Sequence, residues 1–427
     1  MESSRERRPL GLLDVTCLGV NAIVGSSIFL FPGKLAGLLG PASILSFAIL
    51  GLLLIPVGLC FAEAASRFDR PGGVYLYARE AFGEWPGFAI GWMSWVTQVL
   101  SWAAVANGIA VYLGFFGAAY ASASAVKLCA ALVIVSLGTL NYRGVKQGAW
   151  ASDLFTAAKL IPLGLFVLLG LGKIRAGNFF PFAPHGLGPL GPACFLTYFA
   201  FQGFENVPVP SGEVDRPQRN IPLAVVGSLV FATLLYVLVQ IVAIGVCPVL
   251  AASPRPLAEA ARVALGPWGA GFMVLGAVLS MTGFNSGTAL VTPRYLAALS
   301  EQKDIPDWFG RLHPKHGTPA GAIATTTACA LVLAMALDFS KLVDFSNIVV
   351  CVQYIAACAA VPVLRRKKPQ ASALRLPGGW FFPAFGIAVT LWLGAQAKPG
   401  ELGWSAAALA AGVGLRLAWT RRRGPIR

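Results

Sequence analysis

The sequence predicts an all-α membrane protein of about twelve transmembrane helices, and three observations carry that prediction. Hydrophobic residues make up 56% of the chain and charged residues only 12%, where soluble domains are about a quarter charged. Apolar stretches near the roughly 20 residues that a membrane-crossing helix needs recur along the whole chain. Lys and Arg collect in alternate connecting segments, as short cytoplasmic loops do.

The first span runs from Leu13 to Leu35, behind Arg5, Arg7 and Arg8. It outlasts the short apolar core of a cleavable signal and has no A-x-A-type site, so it is expected to stay in the mature protein. The second, Pro41 to Ala62, leads to Arg67, Arg70 and Arg79. The third, Trp85 to Gly114, and the fourth, Ala125 to Leu140, return the chain to Arg143 and Lys146. The fifth, Asp153 to Gly172, carries Lys159 in its middle, and the sixth, Leu190 to Pro210, is interrupted at Gln202-Gly203 before Arg216 and Arg219. The seventh, Ala224 to Val246, and the eighth, Gly266 to Thr292, lead to a polar segment, Leu299 to Pro319, marked by Arg294, Lys303, Arg311 and Lys315. The ninth and tenth, Ala320 to Leu337 and Leu342 to Val363, end at Arg365-Arg366-Lys367-Lys368 with Arg375. The eleventh, Trp380 to Gln396, and the twelfth, Leu402 to Leu417, finish at Arg421, Arg422, Arg423 and Arg427. Outer segments hold scattered cations such as Lys34, Lys173, Arg175, Arg255, Lys341 and Lys398. This alternation predicts an even number of spans with both termini cytoplasmic, in the cell membrane.

The net charge of +15 is divided among these loops rather than gathered on one face, so topology and anionic lipid explain it and no nucleic-acid partner is expected. Eight cysteines lie in or beside apolar spans without a C-x-x-C pair and read as buried free thiols. His185, His313 and His316 all fall in loops. No metal site, and no Ser-His or metal-ligand arrangement for an intramembrane hydrolase, follows from them. Charged rings of a channel are absent from the pattern as well.

No long hydrophilic insert divides the chain, so residues 1–427 are expected to form one membrane transport domain. The first and sixth spans are both broken and their starts are five spans apart. An odd number of helices per unit makes two units antiparallel, which predicts a 5+5 inverted repeat, 13–172 and 190–363, with two extra helices in 380–417.

Paired broken helices mark a transporter's substrate site. At the first break, Gly25 lowers the cost of leaving helical geometry, and the amides of Gly25, Ser26 and Ser27 would face a carboxylate at the start of the outer half-helix. Carbonyls near Ile23 would suit an ammonium. Close packing by small residues is the competing reading. At the second break, carbonyls near Phe199 and Gln202 would hold an ammonium while the Phe199 ring closes over the site. Glu205 is the acid deep in this span; it either caps freed backbone amides and stabilises the break or touches substrate. Gln98, Ser101 and Asn107, Asn285 and Ser286, and Gln353 are polar residues of the third, eighth and tenth spans whose facing the sequence leaves open. With no acid but Glu205 deep in the spans, neutral substrates are favoured. A cation such as Lys159 in the bilayer core is costly unless function requires it.

The first-span motif Gly25-Ser-Ser-Ile-Phe-Leu-Phe-Pro32, the sixth-span motif Phe199 to Glu205, Pro71 to Gly83 and Glu213 to Pro222 occur in order. Together they resemble the amino acid, polyamine and organocation (APC) transporter superfamily, specifically its bacterial amino acid permeases. The resemblance covers most of the chain and implies a leucine-transporter-type fold with an amino acid held between the first and sixth helices. It implies that Gly25, Ser26 and Ser27 bind the carboxylate, that Ile23, Phe199, Ala200 and Gln202 offer backbone to the ammonium, and that Phe199 is the gate. Ser27 departs from the family signature, which usually has glycine there, implying a reshaped pocket or altered selectivity.

Lys159 matches a fifth-helix lysine of proton-coupled and some exchanging members, where the ammonium occupies the space of a sodium ion. Desolvation favours the neutral amine, so the resemblance lets Lys159 couple proton movement to conformational change. A permanently charged lysine bonded to first-helix carbonyls and an exchanger role are the alternatives. The reading is a secondary active transporter of neutral amino acids by proton symport, not an enzyme, with protons as coupling ion and no other cofactor. An exchanger without proton coupling, or a non-transporting sensor, would share these features. Monomer and homodimer both remain open.

Overall fold

In the computed structural model, residues 10–68, 73–144, 149–208, 214–369 and 373–423 are described. Pro71 and Gly72 of the second-loop motif, Glu213 of the loop after the sixth span, and Arg5, Arg7, Arg8, Arg70, Lys146, Pro210 and Arg427 lie outside the described residues. Among the described residues the backbone pairs as sheet only in two isolated bridges, Leu10 with Val214 and Leu312 with Pro319. Everything else regular is helical, as a chain surrounded by lipid must be when its amides can find partners only within the same segment.

Every expected span is occupied by helix. The first is divided into α1 (Leu12–Ile23) and α2 (Ser27–Leu39), with Val24 extended between them at φ −74°, ψ 92°. A turn at Gly40–Ser43 leads to α3 (Ile44–Ala65), followed by α4 (Gly73–Phe82) and α5 (Glu84–Leu113). The short α6 (Ala118–Ala121) precedes α7 (Ala123–Tyr142) and α8 (Ala149–Leu171). The sixth span is α9 (Leu190–Phe201), which stops at Gln202 (φ −60°, ψ 141°), and a single turn at Phe204–Asn206. Then come α10 (Pro217–Val246), α11 (Pro256–Leu265), α12 (Pro267–Glu301), α13 (Ala320–Ala336), α14 (Phe339–Lys367), α15 (Phe381–Gly394) and α16 (Pro399–Arg423).

Among the described residues, seven stretches are long and apolar enough to cross a membrane unaided, and α1, α13, α15 and most of α8 are shorter apolar helices. The first of the seven, Ser27–Ala65, is divided at Gly40, whose φ is 62°. Two helices stand where the sequence suggested loops. Both α4 and α11 are 10 residues long, too short to cross, and bury one stripe: Leu257, Ala258, Ala260 and Ala261 of α11 face inward while Glu259 and Arg262 pair at 2.6 Å at the surface. All eight cysteines are free; five are buried, but Cys17 is exposed, because only one face of α1 packs on the protein.

The most enclosed element is α5, which packs against α12, α14, α4, α7 and α13, while α1 lies on α10 and α2 on α9. At the side where α1 begins, charged clusters tie helix ends together. Glu63 of α3, fully buried, accepts from Arg67 at 3.0 Å and from Arg365 of α14 at 2.7 Å. Asp304, just past α12, takes Arg79 of α4 at 3.1 Å and Arg416 of α16 at 2.8 Å. Burial lifts the Asp304 carboxyl above its usual range, against the pull of Arg416 and Arg79.

Candidate functional site

The two helix breaks meet. Gly203 adopts φ 125°, a conformation reserved for glycine, and a Cβ there would lie 2.5 Å from the Ala22 carbonyl carbon and 2.9 Å from the Ile23 nitrogen. No larger residue lets the second break approach the first. Beside them lies a cavity of about 440 Å³, within the roughly 300–1,000 Å³ of small-molecule sites. Its wall contains Ile23, Gly25, Ser26 and Ser27 from the first break, Phe199, Gln202 and Glu205 from the second, and Lys159 from α8.

At the first break Ser26 and Ser27 are 1% and 2% exposed, and the Ser26 hydroxyl has no partner among the described residues. At the start of α2 the Phe29 amide closes onto the Ser26 carbonyl at 3.1 Å; the amides of Ser27 and Ile28 precede any intrahelical acceptor, beside the cavity wall formed by Ser26 and Ser27. Such a cradle suits a carboxylate. On the other strand of the break, Lys159, 1% exposed, donates from Nζ to the carbonyls of Asn21 at 3.0 Å and Val24 at 2.9 Å. Its ammonium thus holds the end of α1 from the neighbouring α8, with charge-assisted hydrogen bonds replacing water.

A second side chain, not named from the sequence, holds the helix ends. The Tyr236 hydroxyl of α10 is 3.0 Å from both the Ile23 and Ala200 carbonyls. One hydroxyl hydrogen serves one acceptor at a time, so the two half-helix ends share it. Ala200 is accordingly turned toward Tyr236 and is not part of the cavity wall, unlike the other proposed ligands. A tyrosine in an apolar helix is too common a core residue to have been singled out.

Glu205 accepts from the Gly203 amide at 2.8 Å and the Tyr354 hydroxyl at 2.8 Å, both on Oε2. Its carboxylate thus satisfies a backbone amide that the break sets free. Gln202 is built into a chain: its Nε2 donates to Asn347 Oδ1 at 2.8 Å, its Oε1 accepts from the Ser346 hydroxyl at 3.3 Å, and Ser346 is 3.3 Å from Ser101. Among polar residues of the third, eighth and tenth spans, Gln98 and Ser101 line the cavity. Asn107 instead donates to the carbonyls of Ala103, Ala334 and Leu337, and Gln353 stands behind the wall, donating to Thr97 at 2.7 Å. Thr97, Phe155, Phe284 and Thr288 are wall residues that the sequence reading did not name. Helical periodicity alone could not have separated them from residues facing other helices.

On the side where α2 ends, the ring of Phe199 lies 6.3 Å from Phe31 and 6.4 Å from Phe339, and those two are 5.9 Å apart. The Lys34 ammonium is hydrogen-bonded to Ser340 and sits 5.0 Å from the Phe339 ring. On the opposite side the cavity continues past Leu18, Val207, Val291 and Tyr295. The aromatic cluster closes one face; the wall reaches toward the other.

The family profile described as "Amino acid permease" matches residues 10–396. The chain is 29% identical to the branched-chain amino acid permease BcaP of Bacillus subtilis (strain 168) over 91% of this chain and 87% of that protein. Against the methylthioribose transporter of the same organism it is 29% identical over 90% and 87%. It is 27% identical to the serine/threonine exchanger SteT, also of B. subtilis, over 91% and 90%.

Proposed function

The chain belongs to the amino acid permease family, and from that premise we propose that it carries neutral amino acids across the cell membrane by alternating access, with proton symport. The carrying observation is the cavity at the meeting of the two helix breaks, walled by the donor-rich start of α2 and by Lys159. The substrate carboxylate sits on the amides and hydroxyls of Ser26 and Ser27, and its ammonium on carbonyls near Ile23, Phe199 and Gln202. Glu205, occupied by Gly203 and Tyr354, offers little to a cationic side chain, which supports neutral substrates. Proton loss from Lys159 weakens its grip on the Asn21 and Val24 carbonyls and frees α1 to tilt. The twelve spans form a 5+5 inverted repeat with two appended helices, with both termini cytoplasmic.

Amino acid exchange is the second reading. It is favoured by the same two carbonyl bonds, since a lysine that stays charged would hold α1 until a counter-substrate arrives, and by the likeness to SteT. Uptake of labelled neutral and cationic amino acids and of methylthioribose into proteoliposomes, with and without an inward proton gradient, separates the readings. Accumulation driven by the gradient and lost in Lys159→Ala supports symport. Flux that needs internal amino acid and ignores pH establishes exchange, and binding without flux leaves a sensor.

A further inference from the structure

Topological loop charge alone does not explain where the arginines at the end of α14 go. Arg365 and Arg366 meet Arg67 from the end of α3 and Arg375 from the α14–α15 connection around a second cavity of about 590 Å³. Glu63 is the carboxylate bound in this cluster, to Arg67 and Arg365. Arg366 and Arg375 are exposed and, among the described residues, have no ion-pair partner. The cavity therefore keeps an excess of positive charge.

Arg67 makes the site more than a charged surface. It is 4% exposed and fixed by Glu63 and by the carbonyls of Lys368 and Leu374, yet among the described residues its Nε has no hydrogen-bond partner. A buried guanidinium N–H without an acceptor is costly unless something supplies one. Guanidinium groups match phosphate oxygens in geometry as well as charge. Trp380 forms part of the wall and is exposed at its rim, a residue type that settles at the membrane–water interface. The opening is thus at headgroup height.

We infer that this cavity binds a phosphate oxyanion, carried by an anionic phospholipid whose headgroup enters beside Trp380, with Arg67, Arg366 and Arg375 as its donors. Basic pockets between transmembrane helices take lipid headgroups in this way. The leaflet follows from the orientation proposed above; the binding itself does not depend on it or on transport.

The test uses the purified full chain in detergent, its thermal unfolding followed with phosphatidylglycerol, phosphatidylcholine or inorganic phosphate added. Phosphatidylglycerol is expected to raise the midpoint and phosphatidylcholine to leave it. The exposed double variant Arg366→Gln/Arg375→Gln should weaken the response roughly tenfold or more, while Arg421→Gln/Arg422→Gln, which removes equally basic exposed groups elsewhere, should keep it. A shift from inorganic phosphate, lost in the first variant, would support the oxyanion site and move its source to solution. No shift with either phosphate source, or equal shifts in native protein and first variant, or equal losses in both variants, overturns the inference.

Discussion

Lys159 makes two charge-assisted bonds to the end of α1, each of a kind worth about 1.5–3 kcal/mol. Lys159→Gln keeps length and a donor but loses the charge. Uptake is expected to fall roughly tenfold or more and to lose its response to a proton gradient; a variant that still accumulates substrate under the gradient would refute coupling through this residue. Ser27, 2% exposed in the cavity wall, fills space that a glycine would leave open. Ser27→Gly should widen the pocket, read as stronger inhibition of uptake by bulkier amino acids; an unchanged competition profile would show that the hydroxymethyl group does not set selectivity. Gly203→Ala adds a Cβ against Ala22 in a backbone conformation costly to other residues, a penalty of a few kcal/mol. Its expected outcome is a lower unfolding temperature with transport abolished. The Gly203 requirement was legible only as a broken span, because its cause is the approach of residues far away in sequence.

At the scale of elements, α1 and α9 end without continuing partners, and α10 supplies the hydroxyl that both use. Tyr236→Phe removes that donor but keeps the ring that packs 5.4 Å from Phe47 and from Phe201. Leaving two buried carbonyls without it costs about 1–3 kcal/mol. The variant should therefore fold and bind, while maximal uptake rate falls more than apparent affinity; a change confined to affinity would assign Tyr236 to substrate binding. The spans themselves were readable, since a run of about 20 apolar residues has few alternatives in lipid. The short α4 and α11 were not, because their amphipathic stripes are satisfied by helices contributed from elsewhere in the chain.

Across the whole molecule, Arg416 docks α16 onto α5 and the end of α12, bonding Asp304 at 2.8 Å and lying 4.1 Å from the Trp85 ring. Arg416→Gln removes one of the two guanidinium partners of Asp304, which keeps Arg79 at 3.1 Å, a loss of about 1–3 kcal/mol. It also removes one of the two cations that oppose the upward shift of the Asp304 carboxyl. A carboxyl raised further in the folded state gives up stability as pH rises from its unfolded value through the folded one. The variant's deficit in unfolding temperature should accordingly be larger at pH 8 than at pH 5, and equal deficits would show that Asp304 does not titrate in this range. This contact ties α16 to the rest of the bundle.

By itself the sequence determined that this chain is a helical membrane protein, where its long apolar spans run, which two of them break, and that one cation lies in the middle of a span. Those properties follow from local composition and period, which a bilayer reads one segment at a time. Tertiary structure decided the rest: that the two breaks touch, that Lys159 and Tyr236 hold their loose ends, that Ala200 turns away from the cavity, and that scattered arginines converge on a second one. Each depends on side chains from distant segments meeting at hydrogen-bond distance, and helical periodicity fixes the face of a helix without fixing its neighbour.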